Sequence, residues 1–153
     1  GNKPGSNHQF YTDEDTLIQF ARLTQMHAAL LPYTRHIVKE NSLAGIPVQR
    51  AMFLHYDDPG SWDVMYQYLY GPDLIVAPVI HRNQDIVDVH IPGGESQWVH
   101  LWGDLDEIIT GPQDIQIAAP MGYPAVFYKV DSTFSDLFRT IAQEFGPDGT
   151  REI

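Results

Sequence analysis

The sequence predicts an α+β chain in which one long helix leads into an antiparallel β-sandwich and a shorter helix follows it. Three observations carry this. From residue 12 to 44 apolar residues recur at three- and four-residue steps, the period of a helix. From Leu74 to Tyr128 short alternating runs are separated by Gly, Pro, Asn and Asp, the pattern of antiparallel strands. From Phe134 to Phe145 the helical period returns. The change of period falls on Tyr68–Ile80, where a Gly71-Pro72-Asp73 turn enters a β-branched run (Leu74–Val76, then Val79-Ile80) that reads as a strand buried on both faces.

In chain order, residues 1–11 read as loop. Thr12 precedes Asp13-Glu14-Asp15 at capping-box spacing, so the helix is expected to start there, with three acids at its positive end. Leu17, Phe20, Ala21, Thr24, Ala28 and Leu31 form one face, which Met26, Leu30, Tyr33, Ile37 and Val38 widen. A helix apolar on more than one side needs partners on more than one side. Pro32 is expected to kink it, Arg35, His36 and Lys39 to sit near its negative end, and Gly45-Ile46-Pro47 to close it. Residues 46–56 read as extended, Tyr56–Ser61 as a turn, and Trp62–Tyr68 as a short helix or a direct lead into the strand. Strands follow at Ile86–Ile91, Gln97–Trp102, Ile108-Ile109, Asp114–Ala118 and Ala125–Tyr128. The final helix is expected to be capped near Ser132 or Thr133 and stopped by Gly146-Pro147.

Bulk properties exclude several functions. The net charge is −11, and from Asp57 onward four basic residues face sixteen acidic ones. No Lys/Arg cluster is available for nucleic acid or anionic lipid. Without cysteine there is no disulfide or thiolate metal site, and a reducing, cytoplasmic setting is the expectation. No run of about 18 apolar residues could span a membrane, and no charged-then-apolar leader is visible. The opening Gly1–Asn7 has no initiator Met, so we expect a processed or incomplete sequence.

Candidate chemistry is sparse. Asp13, Glu14 and Asp15 are acids or ligands in principle, but a helix's first turn attracts acids through its dipole alone. Asp57-Asp58 before Pro-Gly reads as a turn more than as a carboxylate pair. His81, His90 and His100 lack metal-ligand spacing and fall in loops or on the polar side of strands, so no metal and no cofactor are expected. Trp98 and Trp102, four apart on one strand, share a face. Exposed they would make a sugar-stacking platform; buried they would be core, the reading favoured here. No phosphate loop, nucleophile elbow or Cys-His pair occurs.

Five segments in order carry a resemblance: Leu31-Pro32-Tyr33 with Gly45-Ile46-Pro47-Val48-Gln49-Arg50; Gly71-Pro72-Asp73-Leu74-Ile75-Val76-Ala77-Pro78-Val79; Ile91-Pro92-Gly93-Gly94; Trp98–Gly103; and Ala119-Pro120 with Pro124–Tyr128. Together they resemble the C-terminal part of glycoside hydrolase family 31, the α-glucosidases, α-xylosidases and sulfoquinovosidases. Trp98-Val99-His100-Leu101-Trp102-Gly103 and Gln9–Asp13 look like the bacterial sulfoquinovosidase branch. The resemblance implies the last helix of a (β/α)8 barrel, with residues 1–67 ending the barrel, 68–130 forming the proximal sandwich and 131–153 a helix and tail. It implies a retaining hydrolysis of α-glucosides or α-sulfoquinovosides by two carboxylates about 5 Å apart. Both would lie on barrel strands upstream, so no catalytic residue maps here, and Asn2 and His8 are the only candidates for the active-site lip. The chain would meet carbohydrate only through that barrel, would pack against the rest of its own catalytic domain, and would be inactive alone.

Three functions are weighed: the supporting C-terminal part of such an enzyme, a free-standing carbohydrate-binding module, or an interaction scaffold. The first expects apolar residues of the long helix without partners, a patch beyond the several hundred Å² usual for soluble monomers. The second expects a covered helix and an exposed strip from Trp98, Trp102 and Tyr128.

Overall fold

The computed structural model describes residue 11, residues 13–147 and residue 149. Helix α1 spans Glu14–Ala44, starting one residue later than expected: Asp13 is the N-cap, its carboxylate accepting from the Thr16 N–H at 2.7 Å, and Thr12 lies outside the described residues. The helix runs on through Pro32 to Ala44, where Gly45 caps it in the left-handed conformation and donates to Asn41 O. Because it extends that far, Arg35, His36 and Lys39 do not lie in the last turn, which holds no basic residue.

Residues 46–56 are extended only at β1 (Gln49–Arg50); Met52–Leu54 then close into a 3-10 turn. Helix α2 (Pro59–Asp63) is capped by Asp58 and occupies part of the expected turn, so Trp62 lies near the end of a helix, and of the two readings for Trp62–Tyr68 the lead into the strand holds from Val64 on. Strands β2 (Tyr68–Tyr70), β3 (Leu74–Ala77), β4 (Ile86–Ile91), β5 (Gln97–His100), β6 (Ile109–Thr110), β7 (Gln113–Ala118) and β8 (Ala125–Lys129) follow, and α3 (Ser135–Phe145) ends the order. Strand β3 stops at Ala77 before Pro78, leaving Ile80 exposed at 44%.

Among the described residues six pairings, all antiparallel, build a six-stranded sheet in the order β1-β2-β3-β8-β5-β6 and a two-stranded ribbon β4-β7. The large sheet is covered twice. On one face Ile75, Ala77, Trp98, Ala125 and Phe127 pack against Val87, Val89 and Ile91 of the ribbon. On the other, Leu74, Val99 and Tyr128 meet Tyr33 and Ile37 of α1 and Phe138 and Ala142 of α3. Side chains alternate between these two cores with the period of two that a strand imposes. Helix α3 starts later than expected: its N-cap is Phe134, without a side-chain capping bond, while Ser132 Oγ accepts from the Phe134 N–H at 3.0 Å in the turn before it, and Gly146 closes the other end.

Candidate functional site

The turn at Gly71-Pro72-Asp73 is locked from three directions. Tyr33, fully buried on α1, donates its hydroxyl to Tyr70 O at 2.8 Å and accepts from the Asp73 N–H at 3.1 Å. Asp73 accepts from Ser132 Oγ at 2.9 Å through its side chain, and its carbonyl takes the Lys129 N–H. Gly71 has φ +62, and a Cβ there would stand 2.2 Å from the Tyr33 hydroxyl. Burial pushes the Tyr33 phenol far up, so it remains a neutral donor.

Two turns further along α1, Glu40 accepts from Arg50 Nη2 at 2.5 Å. The Arg50 side chain is wholly buried; its Nε donates to Pro47 O and its Nη1 meets His55 Nε2 at 3.0 Å. Tyr33 thus binds α1 to the β2–β3 turn, and Glu40 binds it to Arg50 on β1.

The third cluster lies at the ribbon. His90 is buried, its Nε2 2.6 Å from Asp58 and its Nδ1 2.7 Å from Asp114. Each ring nitrogen thus faces a carboxylate oxygen. Gln67 pairs with the backbone of His90, accepting its N–H and donating to its carbonyl, as a neighbouring strand would. Gly60 leaves room for the ring: a Cβ there would approach it to 2.1 Å. Burial would raise the Asp58 carboxyl, but hydrogen bonds from Ser61, His90 and Gly93 outweigh it and hold it at about 2. The cluster therefore fastens α2 to β4 and β7. Among the described residues no group of three or more His, Cys, Asp or Glu side chains suits a metal.

The residues singled out by sequence scatter. Asn2 and His8 lie outside the described residues. Asp57 accepts from Trp62 Nε1 and Asp58 caps α2, so the pair is structural. His90 is not on a polar face: α2 covers it. His81 is exposed. His100 is half-buried against Phe127, and burial alone lowers its imidazole to about 4. It is therefore neutral in the folded chain, while the unfolded chain takes up a proton below its ordinary value of 6.5. Stability is expected to be complete above pH 6.5 and to fall by about 2 kcal/mol as the pH drops towards 4. Urea titrations across that range should show the slope, and His100→Gln should flatten it.

Trp98 and Trp102 do not share a face. Strand β5 ends at His100, and the turn that follows carries Trp102 to the helix side, where its Nε1 donates to Pro124 O. Trp98 is fully buried in the opposite core and Tyr128 is 3% exposed, so these three make no sugar platform.

What is exposed lies elsewhere. On α1, Leu17, Ile18, Leu23, Val38 and Leu43 are 40–78% exposed, while the described residues buried there are Arg22, Tyr33 and Ile37. The inward face is the Tyr33–Ile37 side; Leu17 and Val38 point away. A second patch holds Phe53 and Trp62, stacked at 4.7 Å and 11°, with Met65 and Tyr66 following. An apolar cavity of about 320 Å³ between α1, α3 and the sheet, bounded by Met26, Leu30, Val76, Trp102 and Phe138, carries no cluster of titratable groups.

Residues 45–133 match the glycosyl hydrolase family 31 C-terminal domain. The chain is 41% identical over 142 residues to a sulfoquinovosidase of Agrobacterium fabrum (strain C58 / ATCC 33970), covering 92% of this chain and 21% of that protein. Against a sulfoquinovosidase of Escherichia coli (strain K12) it is 40% identical, covering 92% and 20%. A solved GH31 family sulfoquinovosidase from E. rectale, in complex with the aza-sugar inhibitor IFGSQ, superposes with a TM-score of 0.85 at 41% identity, covering 95% of this chain and 21% of that one. The chain thus spans about a fifth of the length of the relatives it matches. With well over half its residues in that match, it belongs to glycoside hydrolase family 31, as that family's C-terminal domain.

Proposed function

We propose that this chain is the supporting C-terminal part of a retaining α-glycosidase, with residues 1–67 ending a (β/α)8 barrel, 68–130 the proximal sandwich and 131–153 a closing helix and tail. The outward apolar face of α1 carries the reading. Leu17, Leu23, Val38 and Leu43 stand at 40–78% exposure on a helix whose other side is already packed, which suits a barrel helix with its neighbours removed. An α-sulfoquinovoside is the substrate we favour, because the relatives at 40–41% identity bear that activity in their names. A reducing, cytoplasmic compartment accords with a chain free of cysteine.

The chain's own role is mechanical. Tyr33 and Arg50 fix the helix to the sheet, and the sheet thereby holds the end of the barrel in place. Retaining hydrolysis needs two carboxylates about 5 Å apart across a sugar, whereas Asp13 and Asp58 serve as caps and Glu40, Asp106 and Asp114 as ion-pair partners. The 153-residue chain is therefore expected to release no aglycone from aryl α-glucosides or α-sulfoquinovosides. Turnover at a normal glycosidase rate would overturn this reading, as would a native polypeptide no heavier than 17.3 kDa.

A further inference from the structure

The Phe53–Trp62 plate is a second exposed surface that the α1 reading does not use. The two rings are parallel at 4.7 Å, and Trp62 is held in its plane by an Nε1–H donated to Asp57 Oδ1 at 3.0 Å. Exposure is high throughout: Phe53 42%, Leu54 51%, Trp62 57%, Met65 81% and Tyr66 56%. A lone exposed Leu needs no explanation, but two stacked rings, the larger already immobilised, with exposed Leu54, Met65 and Tyr66 close by in sequence, form a pre-ordered anchor of the kind that dominates protein interfaces. The rim is acidic, with Asp57 bonded to the indole and Asp63 exposed beside it. The plate also lies inside residues 45–133, the stretch that matches the family domain, while the matched relatives are about five times as long.

Resting on the function proposed above, we infer that this plate is a separate docking surface for the portion of the same polypeptide that precedes residue 1, and that the surface it receives has an apolar centre with Lys or Arg at its edge. An apolar centre takes the rings out of water, and the basic edge matches the carboxylates that would otherwise lose hydration unpaired.

Hydroxyl-radical footprinting of the native polypeptide that carries this sequence tests it. The same residues in the urea-unfolded polypeptide serve as the reference. Trp62 and Met65 are expected to be oxidised at least about tenfold more slowly than in the urea-unfolded polypeptide, with no change on dilution, as for the closed centre of an interface. Oxidation as fast as in the urea-unfolded polypeptide would overturn the inference. If Leu17, Leu23 and Val38 were nonetheless protected, the plate would fall while the barrel reading stood; if neither set were protected, both would fall. Protection lost on dilution would assign the plate to a second copy of the chain and overturn it too. As a second readout, Trp62→Ser in the full polypeptide is expected to restore fast oxidation at Met65, and unchanged protection there would count against the plate.

Discussion

Gly71→Ala is expected to destabilise the chain by roughly 2–5 kcal/mol, a large effect for one methyl group. Two costs combine. The backbone at Gly71 has φ +62, where an L side chain is disfavoured by about 1–2 kcal/mol. The added Cβ would also lie 2.2 Å from the Tyr33 hydroxyl and 2.6 Å from Ile37 Cγ2, so α1 must shift or the turn must open, at about 1–3 kcal/mol for overpacking. Opening the turn would free the Asp73 N–H that Tyr33 holds. The two sites should be coupled: Tyr33→Phe alone loses two hydrogen bonds, yet in the Gly71→Ala background it relieves part of the clash. Urea unfolding of the four variants checks this. A Gly71→Ala chain within about 0.5 kcal/mol of the parent, or strictly additive energies, would contradict the lock as drawn.

Arg50→Met is the second large effect, expected at about 3–4 kcal/mol by the same measurement. The side chain has no solvent exposure, so its guanidinium is satisfied only by Pro47 O, His55 and Glu40. Methionine fills the space but strands the carbonyl and leaves Glu40 without its cation; because Glu40 is 33% exposed, water recovers part of that loss. Glu40→Gln added to Arg50→Met should regain a fraction. Arg50→Lys is expected to fail nearly as badly, since one ammonium cannot reach three acceptors that a planar fork spans. If lysine proved neutral, charge alone would explain the site and the geometry would be incidental.

Much of the fold was legible because it depends on period. Strands β4, β7 and β8 and helix α3 fall within a residue or two of their expected places, each bounded by turn residues the sequence supplies. The pattern misleads where an element's end, and not its type, decides which face a side chain meets. Trp102 would have joined Trp98 had β5 run two residues further; the turn after His100 sent it across the sheet. On α1 the stripe from Leu17 to Leu31 reads most strongly, yet the packed side is that of Tyr33 and Ile37, because a helix apolar all round gives no preference.

The contacts that hold the candidate site were not legible in this way. Tyr33 meets the turn at residues 70–73 and His90 meets Asp58 and Asp114, partners 24 to 40 residues apart that no local spacing relates. His90 looked solvent-facing because strand alternation says nothing of a short helix laid over its ring. For Arg50, family resemblance marked the residue, and only the structure supplied its buried acceptors.

The neighbour relations in the large sheet also fix an order of events during synthesis. Strand β3 pairs with β8, joining residues 74–77 to residues 125–128, so the centre of the sheet cannot form until the last sixth of the described chain has left the ribosome. Until then α1 and the β1–β2–β3 meander wait with Ile75 bare and the far edge of β3 unpaired. The ribbon β4–β7 closes within a shorter span and offers Val87, Val89 and Ile91 as an early lid. Translation speed through residues 78–124 therefore sets how long a sticky, three-stranded edge stays open to the wrong partner.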